Sequence, residues 1–115
     1  MLEEEQLQEV AARVRDYLPV ERIILFGSYA RGDAHQESDL NLCILIAPPG
    51  REAVEEWRAK SWPDRACELK RAVDIPGIVL DPYIFTRGEL DNLREEEHPL
   101  VVRILEEGRV LYEQQ

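Results

Sequence analysis

Residues 26–42 read FGSYARGDAHQESDLNL and join two apolar runs, Ile23-Ile24-Leu25 and Leu42-Cys43-Ile44-Leu45-Ile46. Between them stand a Gly-Ser turn, ten further residues and Asp39-Leu40-Asn41, with an amide where a second acid is expected. The run ERIILF, residues 21–26, is rich in β-branched residues and stops at Gly27, which predicts a short buried strand. Ser28 to Gly32 is long enough for one helical turn, and Ser28 is placed to cap it. Residues 39–46 read as a second strand. In extended backbone, Asp39, Asn41, Cys43 and Leu45 share one face, and Leu40, Leu42, Ile44 and Ile46 share the other.

Outward from this stretch, Leu7, Val10, Ala11, Val14 and Leu18 recur at helical spacing over residues 3–18, and Pro19 ends that helix. Pro48-Pro49-Gly50 closes the second strand. Residues 51–72 are helical in character, with a break at Trp62-Pro63. After a turn at 74–77, IVLDPYIF predicts a third strand with Val79, Asp81, Tyr83 and Phe85 on one face. Pro82 cannot donate to a ladder, so this strand belongs at an edge or is bent there. Thr86 and Glu89 have capping-box spacing, which predicts a helix from about residue 87. A further helix over about 100–107 ends at Gly108, and RVLYE is a small last strand. The order predicts one α/β (α+β) domain over residues 1–115, a small mixed β-sheet packed with helices.

The chain has 115 residues, of which 44% are hydrophobic and 33% charged, a globular balance. Its formal net charge of −10 is the reverse of the basic footprint that grips a phosphate backbone, so long nucleic acid is not an expected partner. No apolar stretch approaches the ~20 residues of a membrane span, and the start MLEEEQ lacks a basic signal region; a cytoplasmic protein is expected. Cys43 and Cys67 form neither a disulfide framework nor a zinc site and read as buried thiols.

Acids at i and i+2 of a strand direct their oxygens to one side, within reach of one hard cation. Asp39 suits that role, and Asp81 is a second carboxylate if the two strands are neighbours. Gly27 allows close backbone approach, Ser28 brings a hydroxyl, and Arg31 lies about one helical turn on, where its fork can meet a phosphate. Singly, each residue has a plain structural reading; in order, they describe a site for a metal and a polyphosphate.

That ordered combination resembles the nucleotidyltransferase superfamily typified by DNA polymerase β, in its minimal nucleotidyltransferase branch, whose pattern is Gly-Ser, a spacer, then Asp-x-Asp. The likeness runs through most of the chain, since Asp81 in VLDPYIFT stands where the third acid is expected and PLVVRILEEGRVLY looks like the end of such domains. The resemblance implies the polymerase β-like fold and transfer of a nucleoside monophosphate, AMP from ATP, to a hydroxyl with release of pyrophosphate. It also implies two Mg2+ ions held by Asp39, the residue at 41 and Asp81, with Asp81 helping to activate the attacking hydroxyl. Gly27, Ser28 and Arg31 would position the triphosphate.

Asn41 departs from the pattern, because an amide offers magnesium a neutral oxygen and bridges two ions poorly. Glu37 and Asp39 form another i, i+2 pair, but Glu37 lies in the polar HQES loop, without the apolar flanks of a strand. Small members of the branch resemble the antitoxin half of toxin-antitoxin pairs, which implies a helical HEPN-type ribonuclease as partner, silenced by AMP added to a tyrosine; self-association is the other expectation. The alternative is a contact module derived from such an enzyme, its acidic surface suited to a basic partner. His35 reads as a solvated loop residue and His98 as a helix-start residue. Trp57 and Trp62, with Val54 and Leu69, read as the core face of helices, or else as an exposed patch for a partner.

Overall fold

In the computed structural model, which describes residues 2–114, the chain runs α1 (Glu4–Tyr17), β1 (Val20–Phe26), α2 (Ser28–Arg31), β2 (Leu40–Ile46), α3 (Gly50–Ala59), α4 (Trp62–Ala72), β3 (Leu80–Thr86), α5 (Arg87–Glu95), α6 (Pro99–Glu107) and β4 (Arg109–Glu113). The sheet order is β3-β2-β1-β4. β1 is antiparallel to both β2 and β4, while β2 and β3 are parallel, so the sheet is mixed. β3 is an edge strand, and that is how Pro82 is accommodated without breaking a ladder on both sides.

Both faces of the sheet are covered, which explains why β2 is apolar at consecutive positions. On one face Ile23, Leu25, Leu40, Leu42, Ile44 and Ile46 cluster with Leu7, Val10 and Val14 of α1 and Leu69 of α4. Each such buried aliphatic side chain contributes about 1.5–3 kcal/mol. On the other face Ile24, Phe26, Cys43 and Phe85 meet Ile104 of α6, with Leu90 and Leu93 of α5 at the margin. Asn41, Asp81 and Tyr83 fall on this second face by strand parity.

The capping box at the start of α5 is formed. Glu89 N–H donates to Thr86 Oγ1 at 3.3 Å and Thr86 N–H to Glu89 Oε1 at 2.9 Å. Glu89 also receives a buried arginine. The guanidinium of Arg65, 1% exposed, donates to its two carboxylate oxygens at 2.7 and 2.9 Å and to the Ile84 carbonyl at 2.9 Å. This fork ties α4, β3 and α5 together, and the sequence pattern gives no hint that Arg65 is interior.

Three expectations change. Ser28 is the first residue of α2, not its cap; Gly27 holds the cap position with φ +77°, and no side chain caps the turn. Cys67 is exposed, because it falls on the outer side of α4, whereas Cys43 is buried as expected. Trp62 is 40% exposed and meets Phe85 edge-on at 5.3 Å, while Trp57 is half-buried against the core, so only Leu69 of that group is fully interior. The break between α3 and α4 falls where Trp62-Pro63 predicts it, with Ser61 capping α4 by accepting from Asp64 N–H at 3.2 Å. No helix among the described residues is long and apolar enough to cross a membrane.

Candidate functional site

The ends of β1, β2 and β3 bring the candidate residues to one end of the sheet. Phe26 pairs with Asn41 across β1 and β2, and Asn41 pairs with Asp81 across β2 and β3. Parallel neighbours in register present side chains to the same side about 4.8 Å apart, so the Asn41 amide and the Asp81 carboxylate stand side by side. Asp39 is exposed at the rim, one residue before β2, whose start is pinned by Leu40 N–H donating to the Val79 carbonyl at 2.8 Å.

Gly27 closes the site from the β1 side, and two constraints require glycine there. Its φ of +77° disfavours any residue with a Cβ, and a Cβ would lie 2.2 Å from Asn41 Nδ2. Gly27 O then accepts from the amides of Ala30 and Arg31 at 3.1 and 3.0 Å, folding the turn into α2. The Ser28 and Tyr29 amides precede the first intrahelical hydrogen bond.

On the β3 side the Tyr83 hydroxyl donates to Asp81 Oδ2 at 3.2 Å. Burial raises the Tyr83 pKa, and the Asp81 charge raises it further, so the phenol keeps its proton and remains a donor. The Tyr83 ring lies 5.6 Å from that of Phe26. Beside Asp81 a groove of about 300 Å³ runs along the sheet edge, walled by Trp62, Pro63, Pro82, Tyr83 and Phe85.

Arg31 lies at the end of α2, as its spacing predicts, but its guanidinium is engaged. It donates to Glu107 Oε2 at 2.7 Å and to Asp33 Oδ2 at 3.2 Å, and the Glu107 bond is the chief reason its pKa is raised. Arg103 donates to the other oxygen of Glu107 at 3.0 Å and rests 6.0 Å from the centre of the Phe26 ring. Glu37 and His35 stay in the loop: the Glu37 amide donates to His35 Nδ1 at 3.2 Å, and the Ser38 hydroxyl receives the His35 amide at 2.9 Å. His98 caps α6, its Nδ1 accepting from Leu100 N–H at 3.2 Å.

Strand parity puts Tyr83 on the face of Asp81 but says nothing of its hydroxyl bond. Arg103 and Glu107 carry the i, i+4 signal of a helix ion pair, while their convergence with Arg31 is tertiary and has no local signature. As a donor set, Asp39, Asn41 and Asp81 offer two carboxylates and one amide oxygen. No group of three or more His, Cys, Asp and Glu side chains gathers to hold a metal among the described residues. An amide oxygen is neutral and bridges two ions poorly, so donors of these types match one hard cation completed by phosphate and water better than a bridged pair.

A family profile, the nucleotidyltransferase domain, matches residues 7–112. Two proteins of Methanocaldococcus jannaschii, provisionally assigned as protein adenylyltransferases, are similar in sequence. MJ0604 is 33% identical over 93 residues, covering 81% of this chain and 79% of that protein. MJ0141 is 46% identical over 39 residues, a match spanning 34% of this chain and 37% of that protein's length. Among solved structures, a toxin-antitoxin crystallised with AMP-PNP matches 99% of this chain and 76% of its own at 25% identity and a TM-score of 0.55. A protein of Sulfolobus solfataricus provisionally assigned as a nucleotidyltransferase shares the fold, with a TM-score of 0.59 and 18% identity over 96% of this chain and 80% of that one. The profile match, the relatives and the Gly-Ser turn set against the β2 and β3 positions agree: the chain belongs to the nucleotidyltransferase domain family, in the minimal branch of the polymerase β-like superfamily.

Proposed function

We propose that this chain transfers AMP from ATP to a hydroxyl on a partner protein, a helical HEPN-type toxin for which it serves as antitoxin. The observation that carries the reading is the register: Asn41 lies over Gly27 on one side and beside Asp81 on the other. That arrangement sets the Gly27 turn next to the carboxylate that would meet an acceptor. The relatives assigned as protein adenylyltransferases and the toxin-antitoxin structure with AMP-PNP support the nucleotide and the class of acceptor.

In this reading the Ser28 and Tyr29 amides and the Ser28 hydroxyl bind the triphosphate, with Gly27 permitting close approach. Asp39, Asn41 and Asp81 would hold Mg2+. When bound, the ion neutralises phosphate charge and favours in-line attack. The Tyr83 hydroxyl engages Asp81 Oδ2, leaving Oδ1 to receive the acceptor's proton. With an amide at 41 the chain lacks the bridging carboxylate of a two-ion centre, and transfer is slow. Removal of a comparable electrostatic group elsewhere costs about 3–4 kcal/mol of barrier.

Asn41 also favours a second reading, a module that silences its partner by contact alone. Incubation of the chain and its Asn41→Asp variant with a HEPN-type partner, Mg2+ and ATP labelled at the α-phosphate separates the two. Label on the partner, increased by the variant, supports transfer. Stable complex formation with no label from either chain refutes transfer and leaves contact.

A further inference from the structure

One carboxylate, Glu107, is gripped by two arginines from different elements: Arg31 of α2 reaches Oε2 at 2.7 Å and Arg103 of α6 reaches Oε1 at 3.0 Å. Glu107 is 17% exposed and the arginines are 45% and 55% exposed, so all three meet at the surface with the cations facing solvent more than the acid does. Both cations border the site. Arg31 follows the Gly27 turn by four residues, and Arg103 sits over Phe26, the residue preceding Gly27 and the register partner of Asn41. In a chain of formal charge −10, two guanidinium groups thus meet at the strand ends.

Two forks closing on a single carboxylate reproduce what a terminal phosphoryl group demands: several charge-assisted donors from more than one direction. Exposed ion pairs hold weakly, so a multiply charged ligand displaces such a carboxylate readily. Hydrogen bonding by Arg31, then by Arg103, lowers the Glu107 pKa, which keeps it an anion over the working range. Asp33 occupies only the outer Nε of Arg31 and is itself 62% exposed.

We infer that Arg31 and Arg103 form a two-armed clamp for the polyphosphate tail of the nucleotide, with Glu107 as an internal carboxylate that the phosphate displaces. The inference rests on the nucleotidyltransferase reading and assigns Arg103 and Glu107 a part in it. The clamp makes engagement of the tail contingent on release of α6 from α2, so binding and the position of α6 are linked.

The test titrates inorganic tripolyphosphate, without metal or nucleoside, into the chain and its Arg31→Gln, Arg103→Gln, Glu107→Gln and Asp81→Asn variants, each checked for folding by circular dichroism. Loss of either arginine is expected to weaken binding about tenfold, the scale of one charge-assisted hydrogen bond. Glu107→Gln is expected to tighten it several-fold; Asp81→Asn serves the Mg·ATP titrations. Folded Arg103→Gln protein binding as well as the unaltered chain, or no tightening in folded Glu107→Gln, overturns the clamp and returns Glu107 to a purely structural tie. Mg·ATP titrations of the same proteins separate the two readings: the clamp fails alone if Mg·ATP binding needs Asp81 while neither ligand senses the arginines, whereas the nucleotide site fails if Mg·ATP binding ignores Asp81.

Discussion

Asn41→Asp sets a carboxylate beside Asp81 and so tests whether position 41 is a metal position. The two residues are register partners on parallel strands. At a separation of about 5 Å and an effective dielectric constant of about 20, two full charges repel by roughly 3 kcal/mol. Both side chains are half-exposed, and screening by water and salt reduces that to about 1 kcal/mol. In chelator the variant should therefore melt lower than the unaltered chain, by a few degrees, at roughly 4 °C per kcal/mol. Magnesium should reverse the order, since a ligand at about a hundred times its Kd stabilises by about 2.7 kcal/mol. The assay is thermal unfolding of both proteins in chelator and in millimolar Mg2+. Equal melting in chelator, with no larger response of the variant to magnesium, would refute the placement of 41 beside 81 as a cation site.

Other outcomes follow from the same contacts. Gly27→Ala should cost about 1–3 kcal/mol, because φ +77° with ψ −153° is a backbone region reserved almost entirely for glycine, and should push the Asn41 side chain aside, weakening Mg·ATP binding more than it lowers the melting temperature. Arg65→Met should destabilise by about 3–5 kcal/mol in chemical unfolding, because Glu89 loses both arms of its fork. Burial pushes the Glu89 pKa up, but the Arg65 and Thr86 hydrogen bonds prevail and hold it below its ordinary value of 4.5. Its stabilisation is thus full above that value and lost as pH falls through the lower folded value, and Arg65→Met should flatten this acid limb. Burial raises the Cys43 thiol to about 12, so alkylation at neutral pH should label Cys67 in the native chain and both cysteines only after unfolding.

Much of the architecture is legible in the sequence because the chain's patterns are local. Parity alone puts Asn41, Cys43 and Leu45 on one face and Asp81, Tyr83 and Phe85 on its neighbour, and Pro82 marks the edge. The capping box Thr86–Glu89 and the break at Trp62-Pro63 are equally local. Ser28 reads as a cap because cap preference describes exposed helix starts, whereas here φ at Gly27 and the Asn41 side chain reserve the position for glycine. Cys67 reads as buried because a thiol carries little information about which side of an amphipathic helix it occupies. The Arg65–Glu89 fork and the Arg31–Glu107–Arg103 cluster join residues 24 and 76 positions apart, where spacing says nothing and only the packing of α4, α5 and α6 decides.

If the ends of β1, β2 and β3 form a metal-dependent nucleotide site, calorimetric titration of Mg·ATP will show it. The unaltered chain should bind with an affinity that falls when magnesium is withheld. Asp81→Asn, whose side-chain oxygen still accepts from Tyr83, should fold and lose that dependence, while Asn41→Asp should bind more tightly. Failure of both the unaltered chain and Asn41→Asp to bind, or equal binding by Asp81→Asn, would mean that these strand ends are not a metal-dependent nucleotide site.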